Sequence, residues 1–151
     1  MRYWLMKSEP DECGIDDLVA QPTQPVPWVG VRNYQARNFM KDGMQVGDLA
    51  FFYHSSCPQP GIAGMVQISR AAYPDATQFD PTSPYFDSKS PPAAPRWVHV
   101  DVLLVRKLPL ISLSALREQT TLADLKILQR GNRLSITPVE AAHWNIILHL
   151  E

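Results

Sequence analysis

The chain has 151 residues, 45% of them hydrophobic, and a formal net charge of −1. That length can bury a core without disulfides or metals, and the near-neutral charge excludes a protein that coats phosphate backbones through bulk charge, so any nucleic-acid recognition has to be local. No stretch approaches the roughly 18 consecutive apolar residues of a membrane span. Met1 to Lys7 lacks the apolar core and cleavage site of a secretory signal, so a soluble, cytoplasmic single domain over residues 1–151 is expected. Cys13 and Cys57 are too few and too far apart for a disulfide framework. Cys57 follows His54 at a spacing that supplies half of a metal site, but no second ligand pair follows, so neither metal nor cofactor is expected.

Tyr3 to Met6 reads as a short buried strand, ended by Pro10. Asp11 to Gln21 places Ile15, Leu18 and Val19 on one face of a small helix, with acids near its start where the helix dipole favours them. Three prolines between Pro22 and Pro27 predict extended loop. Trp28-Val29-Gly30 then opens a segment rich in stacking and hydrogen-bonding groups. A short helix is predicted from Val31 or Arg32 to Met40, with Asn33 as a possible cap and Gly43 ending it in a left-handed conformation. On that helix Asn33 and Arg37 share a face, as do Tyr34, Asn38 and Lys41.

Met44 to Asp48 predicts a tight turn, and Leu49 to Tyr53 a central strand with apolar residues on both faces. His54 to Pro58 ends it. Gly61 to Ala71 gives the next strand, where Gly61 and Gly64 suggest a bend or bulge of the kind a small barrel needs. Tyr73 to Pro95 holds six prolines and little periodicity, although Ser83 to Asp87 is aromatic enough to fold back onto the body. From Arg96 to Leu108, Val98, Val100, Val102 and Leu104 alternate with Trp97, His99, Asp101 and Leu103, a strand with one face on the core. Ile111 to Gln119 predicts a helix capped by Ser112 or Ser114, and Leu122 to Leu128 another apolar turn. Thr137, Pro138 and Glu140 form a cap, first-turn proline and capping box for a closing helix that buries Ala141, Trp144, Ile147 and Leu148. The expected architecture is α+β: short helices around one strongly bent sheet that closes into a small barrel.

Catalytic patterns are scarce. There is no Gly-rich phosphate loop, Gly-x-Ser-x-Gly elbow or His-Glu-x-x-His, and a His54 to Ser55 or Ser56 pair lacks an orienting acid. Binding chemistry is better supplied. A heterocycle needs an aromatic surface and a few groups aimed at its edge. Trp4, Trp28, Tyr34, Phe52, Tyr53 and Tyr85 are candidate walls; Ser8, Asn33, Asn38, His54 and Ser55 are candidate edge readers; Arg32, Arg37 and Arg133 suit flanking phosphates. Each has a structural alternative: Trp4 and Phe52 as core, Asn33 as a cap alone, Arg37 and Arg133 as partners of the acids between Asp11 and Asp17.

Several contiguous blocks resemble one family. They are Tyr3 to Pro10, Trp28 to Asn38, Gly47-Asp48 with Phe52 to Ser55, Tyr73 to Asp75, Ser83 to Asp87, Arg96-Trp97 and Arg133 to Ser135, and together they resemble the EVE domain of the thymocyte nuclear protein type. The resemblance implies a PUA-like fold, a bent β-barrel with flanking helices related to YTH and ASCH domains. It also implies a non-catalytic module that binds a modified base, such as a methylated or hydroxymethylated cytosine, in DNA or RNA through an aromatic-lined pocket. Here that pocket is expected between the Trp28 to Asn38 segment and the Tyr53 to Ser56 strand end. Val29 stands where the family often has an acid, and Phe86 where it often has a tyrosine. The alternative is an enzyme on the same scaffold, acting on a nucleoside or small amide with His54 as acid or base.

Overall fold

The computed structural model describes residues 1–151. Strand β1 (Tyr3–Ser8) leads through a turn to helix α1 (Ile15–Ala20), then to a two-residue strand β2 (Val26–Pro27), helix α2 (Tyr34–Asn38) and strands β3 (Leu49–His54) and β4 (Gly61–Pro74). After a long connection come β5 (Val98–Ser112), α3 (Leu113–Arg117), two short 3-10 turns, β6 (Ile136–Val139) and α4 (Ala141–Leu148). The strands form one sheet in the order β2-β5-β4-β3-β1-β6. Every pairing is antiparallel except β1 with β3, in register from Tyr3 opposite Leu49 to Ser8 opposite His54. A parallel pair needs a long crossover, which α1, β2 and α2 supply.

The sheet is strongly bent. Trp28 continues the edge strand β2, its N–H donating to the Val100 carbonyl at 2.8 Å, yet its ring meets Phe52 of β3 edge-on at 5.5 Å. In a flat sheet these strands would lie about 14 Å apart, three spacings of roughly 4.8 Å. Curvature closes the gap and creates a concave core containing Trp4, Met6, Trp28, Phe52, Val66, Val102 and Ile136, roofed by α1 and α2. The alternate residues Leu5, Phe51 and Tyr53 point to a second core against α3 and α4, where Trp144 stacks on Phe51 at 3.8 Å. Burial on both faces explains why β1 and β3 read as continuous apolar runs. Bulges on β4 between Ile62 and Gly64 interrupt its pairing with β5, and a Cβ on Gly64 would collide with the Ile15 side chain of α1. The α+β class with a bent, PUA-like sheet is the one expected, although its two edges, β2 and β6, do not hydrogen-bond to each other and the sheet stays open.

Local expectations are corrected at five places. Asp11 to Gly14 are turn, so α1 is shorter than predicted. The segment expected as loop contains β2, because the free edge of β5 recruits Val26 and Pro27. Gly43 is not left-handed: α2 widens into a π-type turn over Phe39–Gly43, closed by Met44 N–H to Phe39 at 2.8 Å. A Cβ at Gly43 would lie 2.9 Å from Trp4 Cη2, so close approach explains that glycine. Ile111 and Ser112 end β5, and Ser112 caps α3 by accepting from Ala115 N–H at 3.1 Å. Thr137 and Pro138 lie in β6, opposite Leu5 and Trp4. Pro138 is tolerated because β6 is an edge strand, and α4 starts only at Ala141, which is exposed while His143, Trp144 and Ile147 are buried.

Candidate functional site

A cleft of about 690 Å³ opens where the sheet edges approach each other, within the usual size range of ligand sites. Lys7, Ser8 and Glu9 contribute from the end of β1, Val26 to Arg32 from β2 and its continuation, Ser55 and Ser56 from the end of β3, and Arg133 and Ser135 from the approach to β6. Glu12, Cys13 and Tyr85 complete it. Backbone bonds hold the floor: Ser55 N–H donates to Ser8 O at 3.0 Å, and Lys7 N–H to Ser135 O at 2.8 Å. The Ser8 hydroxyl donates to Cys13 O at 2.7 Å, which leaves its lone pairs as acceptors. Ser56 adopts a left-handed φ of 54°, an uncommon conformation for a residue with a side chain.

The wall carried by β2 is rigid. Gly30 has φ 87°, and a Cβ there would lie 2.6 Å from the Tyr85 ring, so glycine is required both by conformation and by the ring that covers it. Gly30 N–H donates to Asp75 Oδ2 at 2.9 Å. Arg32 donates to Asp75 at 3.1 Å, to Val31 O, to the Thr77 hydroxyl and twice to Tyr85 O. Burial pushes the Asp75 carboxyl up, but the Thr77 hydroxyl, the Gly30 and Thr77 amides and Arg32 outweigh it and hold the group below the ordinary carboxylate range. All five guanidinium N–H groups of Arg32 are therefore committed within the protein. Its expected phosphate role gives way to that of a clamp joining the β2 wall to the long connection.

Cations free to meet a ligand lie opposite. Lys7 and Arg133 line the cleft and take part in none of the five ion pairs of the chain. Partial burial lowers the Lys7 pKa, making its ammonium better disposed toward an anion than toward an empty site. Glu12 accepts from the Tyr85 hydroxyl at 2.8 and 2.9 Å.

Of the residues expected from sequence, the structure brings together Ser8, Trp28, Arg32, Ser55 and Arg133, with Tyr85 as a wall. It does not bring the others there. Asn33 caps α2, accepting from Ala36 N–H at 3.1 Å. Tyr34, half exposed, stacks on Trp97 at 4.8 Å with Arg37 over its ring at 4.7 Å. Arg37 donates to Arg96 O and to Asn38, and Asn38 lines a separate groove with Trp4 and Phe39. Tyr53 is buried in the second core. His54 Nε2 accepts from Ile15 N–H at 3.1 Å, satisfying an amide at the start of α1, and its ring lies in another cavity with Cys57 and Lys107. The physical reason is alternation: Phe52 and His54 share the concave face of β3, and α1 covers the far end of that face. Lys7, Glu12 and Asp75 were missed. A lone cation ending an apolar strand was a usable signal for Lys7; nothing local distinguishes Glu12 or Asp75.

The EVE domain family matches this chain over residues 2–150. The chain belongs to the EVE domain family. Human thymocyte nuclear protein 1 is 45% identical to it, across 99% of this chain and 73% of the human protein. Among solved structures, a Pseudomonas putida protein superposes with a TM-score of 0.93 at 51% identity, covering 98% of each chain. The crystal structure of human THYN1 protein in complex with 5-methylcytosine containing DNA also superposes at 0.93, with 41% identity over 99% of this chain and 97% of the other. The EVE domain described here thus shares its fold, over 99% of the chain, with a protein crystallised in complex with 5-methylcytosine containing DNA.

Proposed function

We propose that the chain is a non-catalytic reader that takes one modified cytosine of DNA into the cleft beneath Trp28 and Tyr85. The observation that carries this is the cleft itself: an aromatic-walled space rimmed by hydroxyls and two unpaired cations, on a fold matching the human THYN1 protein in its complex with 5-methylcytosine DNA over 99% of the chain. Trp28 supplies the aromatic wall. Ser8 and Ser55 offer hydroxyls to the base edge, while Lys7 and Arg133 meet the flanking phosphates. With only two such cations and a net charge of −1, affinity for unmodified strands is weak. The enzymatic alternative is not favoured, because His54 lies in a different cavity and its Nε2 is taken up as the acceptor for Ile15 N–H of α1.

Titration of otherwise identical oligonucleotides carrying cytosine or 5-methylcytosine tests the reading, with Trp28→Phe as the comparison because Trp28 also belongs to the concave core. The methylated strand is expected to bind at least about tenfold tighter, a difference of roughly 1.4 kcal/mol, and Trp28→Phe to weaken it without unfolding the protein. Equal, weak binding in every combination sinks the proposal. Repeating the titration with ribose oligonucleotides decides whether RNA is also read.

A further inference from the structure

Tyr85 and Glu12 meet at the edge of the cleft, and the contact fixes a carboxylate that would otherwise be a mobile surface group. The phenol hydroxyl reaches both carboxylate oxygens, at 2.9 and 2.8 Å. Tyr85 is anchored from behind, with its ring against Gly30 and its carbonyl holding two N–H groups of Arg32. Burial, with Glu12 and Glu9 adding to it, pushes the phenol pKa up to about 12, so at neutral pH the hydroxyl remains a donor. One shared proton leaves most of the acceptor capacity of the carboxylate unused, and Glu12 pairs with no cation. Both residues line the cleft.

An acceptor fixed in that position distinguishes pyrimidines by the sign of one edge. Cytosine presents an exocyclic amino donor where thymine and uracil present a carbonyl oxygen. A carboxylate attracts the first and repels the second. We propose that Glu12 reads the exocyclic amino group of the base in the cleft, making the site selective for cytosines over thymine and uracil, with Tyr85 as its positioning residue. This rests on the proposed function and adds to it the residue that reads the amino edge of the cytosine. Glu12 is thereby more than a strap for Tyr85, and the two roles are separable. Glu12→Gln keeps a carbonyl to accept from the phenol but turns an amino group toward the ligand.

Thymine carries the same 5-methyl group as 5-methylcytosine, so single-stranded DNA oligonucleotides with one or the other at a single position isolate the amino edge. The wild-type chain is expected to prefer 5-methylcytosine by at least about tenfold. Glu12→Gln, with its thermal midpoint preserved, is expected to lose that preference or invert it. Tyr85→Phe is expected to weaken 5-methylcytosine binding while keeping the direction of preference, because the carboxylate is still present. An unchanged preference in Glu12→Gln overturns the inference while leaving the proposed function standing. Binding of neither oligonucleotide by the wild-type chain overturns both.

Discussion

Arg32 and Asp75 form an ion pair at 3.1 Å in which the carboxylate is fully buried and every guanidinium N–H is engaged. The pair ties the wall behind Trp28 to the connection that carries Tyr85. Removing one member of such a pair leaves a buried charge uncompensated, so Asp75→Ala is expected to destabilise the protein by about 3 kcal/mol, measured by urea denaturation. Arg32→Lys should also lower stability, since an ammonium cannot replace a planar group with five donors. Because Asp75 has a depressed pKa in the fold, its contribution is complete above the ordinary value of 3.8 and is lost as pH falls from there through the folded value.

Salt dependence separates the clamp from the phosphate contacts. Arg133→Ala is expected to reduce the slope of log affinity against log salt by about 0.7 for a single strand, whereas Arg32→Lys leaves the slope unchanged. A slope unaltered by Arg133→Ala would remove Arg133 from the phosphate path.

Gly30→Ala should damage the cleft more than its size suggests. Its left-handed φ alone costs about 1–3 kcal/mol for a residue with a side chain, and the new methyl displaces the Tyr85 ring. Placing Tyr85→Ala in the same chain should recover only the steric share. Thermal melts of the single and double variants measure the two shares.

His54 gives the fold a pH dependence of its own. Burial lowers its pKa from the ordinary 6.5, with Asp16 opposing and Lys107 adding to the effect. The folded state thus favours the neutral ring that accepts from Ile15 N–H. Stability from this group is complete above pH 6.5 and declines as pH falls from there toward the lowered value. His54→Ala should lose about 1 kcal/mol at pH 7.5 for the missing acceptor and abolish this part of the decline between pH 7.5 and 5.5, seen by urea denaturation at both values.

Much of this arrangement was legible in the sequence. The central strand β3, the alternating part of β5, the bulge at Gly64 and the Asn33 cap follow from period, β-propensity and capping chemistry, all of which act locally. Thr137 and Pro138 show where local chemistry fails: they imitate a helix start, but the free edge of β1 claims them as a strand. The site divided along the same line. Trp28, Ser8 and Ser55 stand at strand ends near glycine or proline, and the structure brings all three to the cleft. Tyr34, Asn38 and Arg37 were drawn in by proximity in sequence to Trp28, while the bend after Gly30 turns α2 toward Trp97 instead. The partnership of Asp75 with Arg32 spans 43 positions and leaves no local trace.

The pairing of β1 also sets a timetable for folding. Its strand partners are β3 on one side and β6 on the other, with Tyr3 opposite Val139. Such distant pairings close slowly. During synthesis, Trp4, Leu5 and Met6 emerge well before either partner strand, and their outer edge stays uncovered until β6 follows more than 120 residues later. Through that interval the ribosome-bound chain displays an apolar strand with one open edge, the kind of segment that chaperones shield and that aggregates when they do not.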